Sequence, residues 1–332
     1  MLKFVTFAVK LQLNVHDLNN EACIGNVTDI RVIDFLNENG EKVEAPAVSG
    51  RMLKHWHYEL LRNLGIQKDL SFCDACKIGE PVRPAILKDG KLSHEEAVKK
   101  EPGEIVKSSK IVERCAICDI HGFLAAVRET SERRSSRVMF SWLLPTLDSV
   151  SVTKQVIHSR VKSGIDFEDE KLTSQMPFNK SYASGIYGFV SAFDVDRVGL
   201  IELNLGKNIS ETKKEDKNSN PEDKKNDDDE RQKRIKLAIE AYRHLISGKM
   251  GASLSHAIPH VDPIEILVVY SEKGPLPFPV SPIYSDYIKK TMGLVPQDSK
   301  CLFWSKDQKE VEGIEKVNSI NDLFGRLLDK VR

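Results

Sequence analysis

Residues 4–15 alternate. Val5, Phe7, Val9, Leu11, Leu13 and Val15 share one face; Phe4, Thr6, Ala8, Lys10, Gln12 and Asn14 share the other. A period of two with one apolar side predicts a half-buried strand. Its mostly polar side reads as a solvated sheet face or as an occupied binding face. Helical spacing then takes over. Leu53, Trp56, Leu60 and Leu64, with Met52 and Leu61 beside them, predict a helix starting near Ser49. Ser49 suits the N-cap, and Gly50 lets another stretch of chain approach closely. Alternation returns over 150–162, with His158, Arg160 and Lys162 on one side and Ile157 and Val161 on the core side. Strand character resumes over 186–205, and the nearby Tyr182, Tyr187, Phe189 and Phe193 suit core packing as well as base stacking. Ile235, Ala238, Ile239, Tyr242 and Ile246 form a helical stripe that Gly248 is placed to end. A continuous apolar run over 264–270 predicts a buried strand, and a last helix follows over about 320–331.

Two stretches interrupt this pattern. Residues 65–145 carry turn signals at Pro81, Pro84, Gly90, Pro102 and Gly103, and a short helix near Ser93 with Ser93 and Glu96 as a capping box. They read as an insertion. Residues 207–234 hold nine basic and nine acidic residues with Ile209 as the single large apolar one, so 207–230 reads as a mobile excursion. The remaining order of strand, helix, strands, helix, strand predicts an α+β fold of the ferredoxin-like or RRM type. Its domains are 1–64 with 146–332, and the insertion 65–145.

Lys plus Arg equals Asp plus Glu at 49 each, so nucleic-acid binding has to come from local patches. Six cysteines in 332 residues are no secreted disulfide framework. The first fifteen residues alternate instead of forming a signal-like apolar run, and no stretch of about 18 apolar residues occurs. The chain reads as soluble and cytoplasmic, with no membrane partner.

Chemistry gathers at four places. Cys73-Asp-Ala-Cys76 and Cys115-Ala-Ile-Cys118 each set two thiolates at metal spacing, and together they make a four-sulfur shell of the structural zinc kind. Disulfides or unrelated cysteines are the alternatives, and His121 is a candidate to replace one thiolate. Arg51 and Lys54 lie in the first turn of the predicted helix, where cations oppose the helix dipole unless an anion sits nearby or water solvates them. The tract 128–137 holds Arg128, Arg133, Arg134 and Arg137 among four hydroxyl residues, suited to phosphate contacts or to a solvated loop salted by Glu129 and Glu132. After Gly248, Lys249, Gly251 and Ser253 lie in a small, hydroxyl-rich stretch that a phosphate chain can approach.

The chain resembles the DevR-type backbone subunit (RAMP superfamily) of type I CRISPR surveillance (Cascade) complexes, in its archaeal subtype I-A form. The resemblance is carried by Ile24-Gly-Asn-Val-Thr-Asp-Ile-Arg31, Ala47-Val-Ser-Gly-Arg-Met-Leu-Lys54, the arginine tract continuing to Pro145, Ile157-His-Ser-Arg160, and the stretch from Arg234 to Gly251. It implies an RRM-like palm, a finger-like helical insertion and a thumb-like loop at about 163–181. It implies subunits stacked in a helical filament along a guide RNA (crRNA), with target DNA, further copies of the chain and other Cascade subunits as partners in antiviral defence. By the same resemblance, Ser49, Gly50, Arg51 and Lys54 correspond to an RNA-facing helix start, and His158 and Arg160 to a basic strand near the thumb. Residues 248–253 correspond to a glycine-containing loop, though here that loop is less glycine-rich and less basic than is common. The two CxxC pairs fall in the finger and are not general to the family.

The expected role is a non-catalytic scaffold. One rival is a type III-like subunit that cuts RNA with an acidic residue after the first strand, where Asp29 and Asp34 lie. The other is a duplex-binding transcriptional autoregulator, for which no helix-turn-helix signal is evident.

Overall fold

The computed structural model describes residues 1–18, 23–24, 27–28, 30–98, 108–127, 130–147, 154–159, 177–200, 221–251 and 258–331. A seven-stranded sheet organises them. Its strands are β1 (Phe4–Asn14), β2 (Val138–Phe140), β3 (Leu144–Pro145), β4 (Ser184–Asp194), β5 (Val261–Ser271), β6 (Lys300–Ser305) and β7 (Glu315–Lys316). The order across the sheet is β2-β4-β1-β5-β6-β7, with β3 also paired to β4. β1 runs antiparallel to both neighbours, Phe7 lying opposite Ser191 on one side and Val268 on the other.

The apolar side of β1 meets helices. α1 (Gly50–Gln67), α3 (Pro221–Ile246) and α5 (Ile320–Leu328) pack as a layer on that side of the sheet. Phe7 stacks on Tyr242 of α3 at 4.6 Å and on Phe324 of α5 at 6.0 Å between centroids. The helices end where their residues dictate: Ser319 Oγ accepts from the Asp322 amide at the start of α5, and Gly248, at φ +99°, follows α3.

Several expectations change here. The first half of the polar side of β1 is not solvated, while Gln12 stays exposed and Lys10 and Asn14 are half-buried. Thr6 and Ala8 are fully buried, under Leu276, Tyr287 and Ile288 from the segment that contains α4 (Tyr287–Met292). Thr6 satisfies its hydroxyl on the Val269 carbonyl, and Lys10 pairs with Glu265 at 3.1 Å. Small and amphipathic residues permit a cover that the alternation alone does not reveal. Tyr187, Phe189 and Phe193 are core residues. Residues 138–145, assigned to the insertion, supply the β2 edge and β3 of the main sheet. α3 begins at Pro221, inside the stretch read as a mobile excursion; 201–220 lie outside the described residues.

The insertion is not a detached unit. Cys76, Ile111, Cys115, Ile117 and Ile120 join the same core as Phe7 and Tyr242. It contains the short helix Asp74–Ile78, α2 (Ala116–His121) and a hairpin pairing Phe123–Val127 with Thr130–Arg134. At Ser93 the hydroxyl accepts from the Glu96 amide, the first half of the expected capping box. A smaller sheet pairs Lys154–Ser159 with Pro177–Tyr182, placing His158 opposite Phe178.

Candidate nucleic-acid interface

The start of α1 is pressed against the β2–β3 segment. Val48 and Leu143 exchange backbone hydrogen bonds at 3.0 and 2.9 Å. A Cβ on Gly50 would come within 2.5 Å of the Phe140 carbonyl and 2.6 Å of that of Ser141, so this approach needs glycine. Ser49 occupies the N-cap position but makes no capping bond from its side chain, and no acidic residue occupies the first turn. The amides of that turn therefore keep their capacity for an anion.

Around this helix start opens a cleft of about 550 Å³, lined by Arg31, Ser49, Arg51, Lys54, Ser136 and Trp142, with Phe140 and Met139 on its floor. Three cations and no carboxylate line it. Burial, and secondarily the nearby Arg83 charge, bring Lys54 down to about 8. An anion in the cleft offsets that repulsion. One turn further along α1, Trp56 Nε1 donates to the Gly251 carbonyl at 2.6 Å and ties the loop after α3 to this helix.

Beside α1 the four cysteines converge. Their sulfurs lie within 4.8 Å of one another, Cys73 and Cys118 at 3.9 Å, Cys76 and Cys118 at 3.8 Å. Four thiolates at about 2.3 Å from zinc stand about 3.8 Å apart, whereas a disulfide needs about 2.05 Å. Each CxxC places its first cysteine at a helix N-cap and its second within the first turn, and the Cys118 amide donates to Cys115 Sγ at 3.3 Å. Thiols this close cannot all ionise without a cation. Hydrogen bonds, first from Cys115, hold Cys73 far down. The Cys115 contact pushes Cys76 up, and burial does the same to Cys118. The donor set fits a divalent metal that prefers sulfur.

The family model for the "CRISPR-associated negative auto-regulator DevR/Csa2" matches residues 7–292, most of the chain. The chain belongs to that family. It is 29% identical to a "CRISPR-associated protein Cas7/Cst2/DevR" of Methanocaldococcus jannaschii, over 99% of this chain and all of that one. It is 25% identical to the "CRISPR-associated aCascade subunit Cas7/Csa2 2" of Saccharolobus solfataricus, over 97% and 99%. Its fold is similar to a chain solved in a "CRISPR RNA-guided surveillance complex, pre-nicking", at a TM-score of 0.57 and 12% identity over 99% of this chain and 100% of that one. A chain of another "CRISPR RNA-guided surveillance complex" gives 0.53 at 11% identity, over 98% of each.

Within this DevR-family chain the structure places Ser49, Gly50, Arg51 and Lys54 along one cleft. Arg133 and Lys249 are exposed and Gly251 is buried against Trp56. Arg128, Arg160, Lys162 and Ser253 lie outside the described residues, and for His158 only the backbone is described. Two members of the arginine tract are buried. Arg134 is 7% exposed and ion-pairs with Asp119, and Arg137 is 1% exposed. Alternation along the hairpin turns Arg133 outward and Arg134 inward. Arg31, Ser136, Phe140 and Trp142 were missed as site residues. All but Trp142 are unremarkable by composition, and only the contact between 48 and 143 makes them neighbours.

Asp119, next to Cys118, is the hub beneath this face. Its carboxylate accepts from Arg134 and from Arg234 Nη1 at 3.2 Å, and from the Gly199 amide at 3.0 and 3.1 Å. The other donors of these arginines reach the carbonyls of Val112, Glu113, Asp119, Arg197 and Leu200, and Arg234 Nε donates to the Glu230 carboxylate at 3.2 Å. Thus α2, the 123–134 hairpin, α3 and the 195–200 turn are joined by one buried charge. His121 does not complete the sulfur shell. His57 Nε2–H donates to the Ala238 carbonyl at 3.0 Å, leaving His57 Nδ1 to accept from His121 Nε2–H at 3.0 Å. Burial holds His57 near 3 and His121 well below the usual range, so the pair is neutral.

Proposed function

We propose that this chain is a non-catalytic, guide-RNA-binding backbone subunit of a type I CRISPR surveillance complex. The observation that carries the reading is the carboxylate-free cationic cleft at the start of α1, in a family whose relatives include an aCascade subunit and whose fold recurs in RNA-guided surveillance complexes. Three cations beside open helix amides hold phosphates and read no base, as a guide of arbitrary sequence requires. The palm is RRM-like: the order β1-α1-β2-β4-α3-β5 supports a strand-helix-strand-strand-helix-strand core. Its outer sheet face is covered over Thr6 and Ala8, and the cationic groups gather at the helix start, so RNA runs there. Ser49, Gly50, Arg51, Lys54, Arg133, Lys249 and Gly251 contact it, with Arg128, His158, Arg160, Lys162 and Ser253 from the thumb side and adjoining loops. Copies stack as a filament along the crRNA in the cytoplasm, with other subunits, and present the guide to a target DNA strand. Cys73, Cys76, Cys115 and Cys118 hold one zinc ion that clamps the two ends of the finger-like insertion together.

Asp34 pairs with Lys42 at 2.9 Å on an exposed hairpin, and Asp29 lies outside the described residues. In this reading neither carries a catalytic step. The test is isolation of the tagged chain from its own cells, followed by sizing of bound nucleic acid. RNA of one discrete length is expected. Selective recovery of duplex DNA would instead support the auto-regulator in the family's description. Metal-dependent cutting of complementary RNA, lost in Asp29→Ala or Asp34→Ala, would make the chain a nuclease.

A further inference from the structure

Arg83 lies between the two CxxC pairs in the sequence, and the segments of both hold it in place. Its Nε donates to the carbonyl of Gly122, just beyond α2 and Cys118, at 3.0 Å. The helix of the first pair fixes the residues that follow it. The Ala75 amide donates to the Ala85 carbonyl at 3.2 Å, and the Leu87 amide to the Asp74 carboxylate at 2.7 Å. The position of Arg83 therefore depends on how the four sulfurs are held, and sulfurs this close stay together as thiolates only around a cation.

Arg83 reaches α1 beside the cationic cleft. Its guanidinium lies over the Tyr58 ring, 5.1 Å from the centroid. Tyr58 follows Lys54 by one helical turn on the same face, where i,i+4 side chains are neighbours. Arg83 is also the charge that, after burial, brings Lys54 down. Among the described residues no carboxylate pairs with either cation, and the two Nη groups of Arg83 have no partner. One turn further on, Arg62 is neutralised by Glu59 at 2.9 Å, so the open charges stop at Arg83. Arg51, Lys54 and Arg83 thus form a row along α1. A single anion answers one of them, whereas a chain of phosphates answers all, and paired Nη groups suit two oxygens of one phosphate.

We propose that Arg83 is a phosphate-contacting residue at the far end of the cleft, held in place by the metal-bound cysteines, so that RNA affinity depends on the metal. The proposal rests on the RNA-binding reading of the cleft and on the metal reading of the four cysteines, and adds a coupling between them.

The test uses the full chain, either zinc-loaded or stripped by a chelator and checked by elemental analysis, with oligouridylate as the probe across a salt series. In the loaded chain Arg83→Gln should lower affinity about fivefold, the worth of one partly exposed ion pair. It should also reduce the slope of log affinity against log salt by about 0.7, the share of one phosphate contact on a single strand. A merely structural role would lower affinity without moving that slope. Stripping the metal should cost the parent the same affinity and slope, and cost Arg83→Gln little more. Parental affinity and slope in Arg83→Gln, with Arg51→Ala still weakened, overturn the contact and leave the cleft standing. Stripping that leaves the parent unchanged, or that costs Arg83→Gln as much as the parent, overturns the coupling. A loaded parent that binds no RNA overturns the cleft reading along with this one, and a chain that takes up no metal overturns the zinc reading along with it.

Discussion

Single residues set the properties of the cleft. Lys54 is held near 8 by burial and by Arg83, so it carries its charge at neutral pH and loses it as pH rises through that value. RNA affinity should therefore fall between pH 7 and 9 by roughly fivefold, the worth of ~1 kcal/mol for one partly exposed ion pair. Lys54→Arg should flatten the profile, since guanidinium stays charged throughout. A titration by fluorescence anisotropy at fixed salt checks both. Gly50 tests the geometry. Gly50→Ala drives a methyl into two backbone carbonyls that cannot rotate away. It should cost about 1–3 kcal/mol of stability and weaken RNA binding by parting α1 from β2, as read from denaturant midpoints and affinity together.

At the scale of elements, the sulfur cluster brings the two ends of the insertion together and Asp119 ties the insertion to α3. Purified protein should contain one zinc per chain by elemental analysis. Cys115→Ser should release it and raise amide exchange across 65–134 while leaving β1, β4 and β5 protected. Stoichiometric metal retained without all four cysteines would contradict the assignment. Asp119→Asn removes the charge on which Arg134 and Arg234 converge. Breaking a buried pair of this kind costs about 3–5 kcal/mol, so the denaturant midpoint should drop sharply. Much of this scale was readable beforehand. The α1 start, the Ser93 cap, the end of α3 at Gly248 and each CxxC pair depend on residues within a turn or two of each other. The reach of α3 back to Pro221 was not readable, because its first turns are charged on every side and carry no apolar stripe.

At the scale of the whole molecule, zero net charge leaves the proposed RNA binding to the local cleft. Affinity should fall linearly with salt on logarithmic axes and vary little between unrelated sequences. In the proposed filament each contact recurs in every copy, so Arg51→Ala should weaken a full-length guide far more than an RNA spanning about one subunit. Equal losses on short and long RNA would argue against repeated contacts along a guide.

The sequence alone determined the features that local geometry enforces. Two CxxC pairs specify paired sulfurs wherever they sit, and Gly50 before a cationic helix turn specifies a tight approach beside an anion-ready terminus. Tertiary structure decided which surfaces meet. Arg134 and Arg133 are adjacent and chemically alike, yet one is locked on Asp119 and the other faces outward. The polar side of β1 looked open, yet its first half, at Phe4 and Ala8, lies under Tyr287 and Ile288. Phe140 and Trp142 became walls of a cleft only when Val48 met Leu143. Periodicity reports which faces one element has; what covers each face is fixed by contacts between residues distant in the chain.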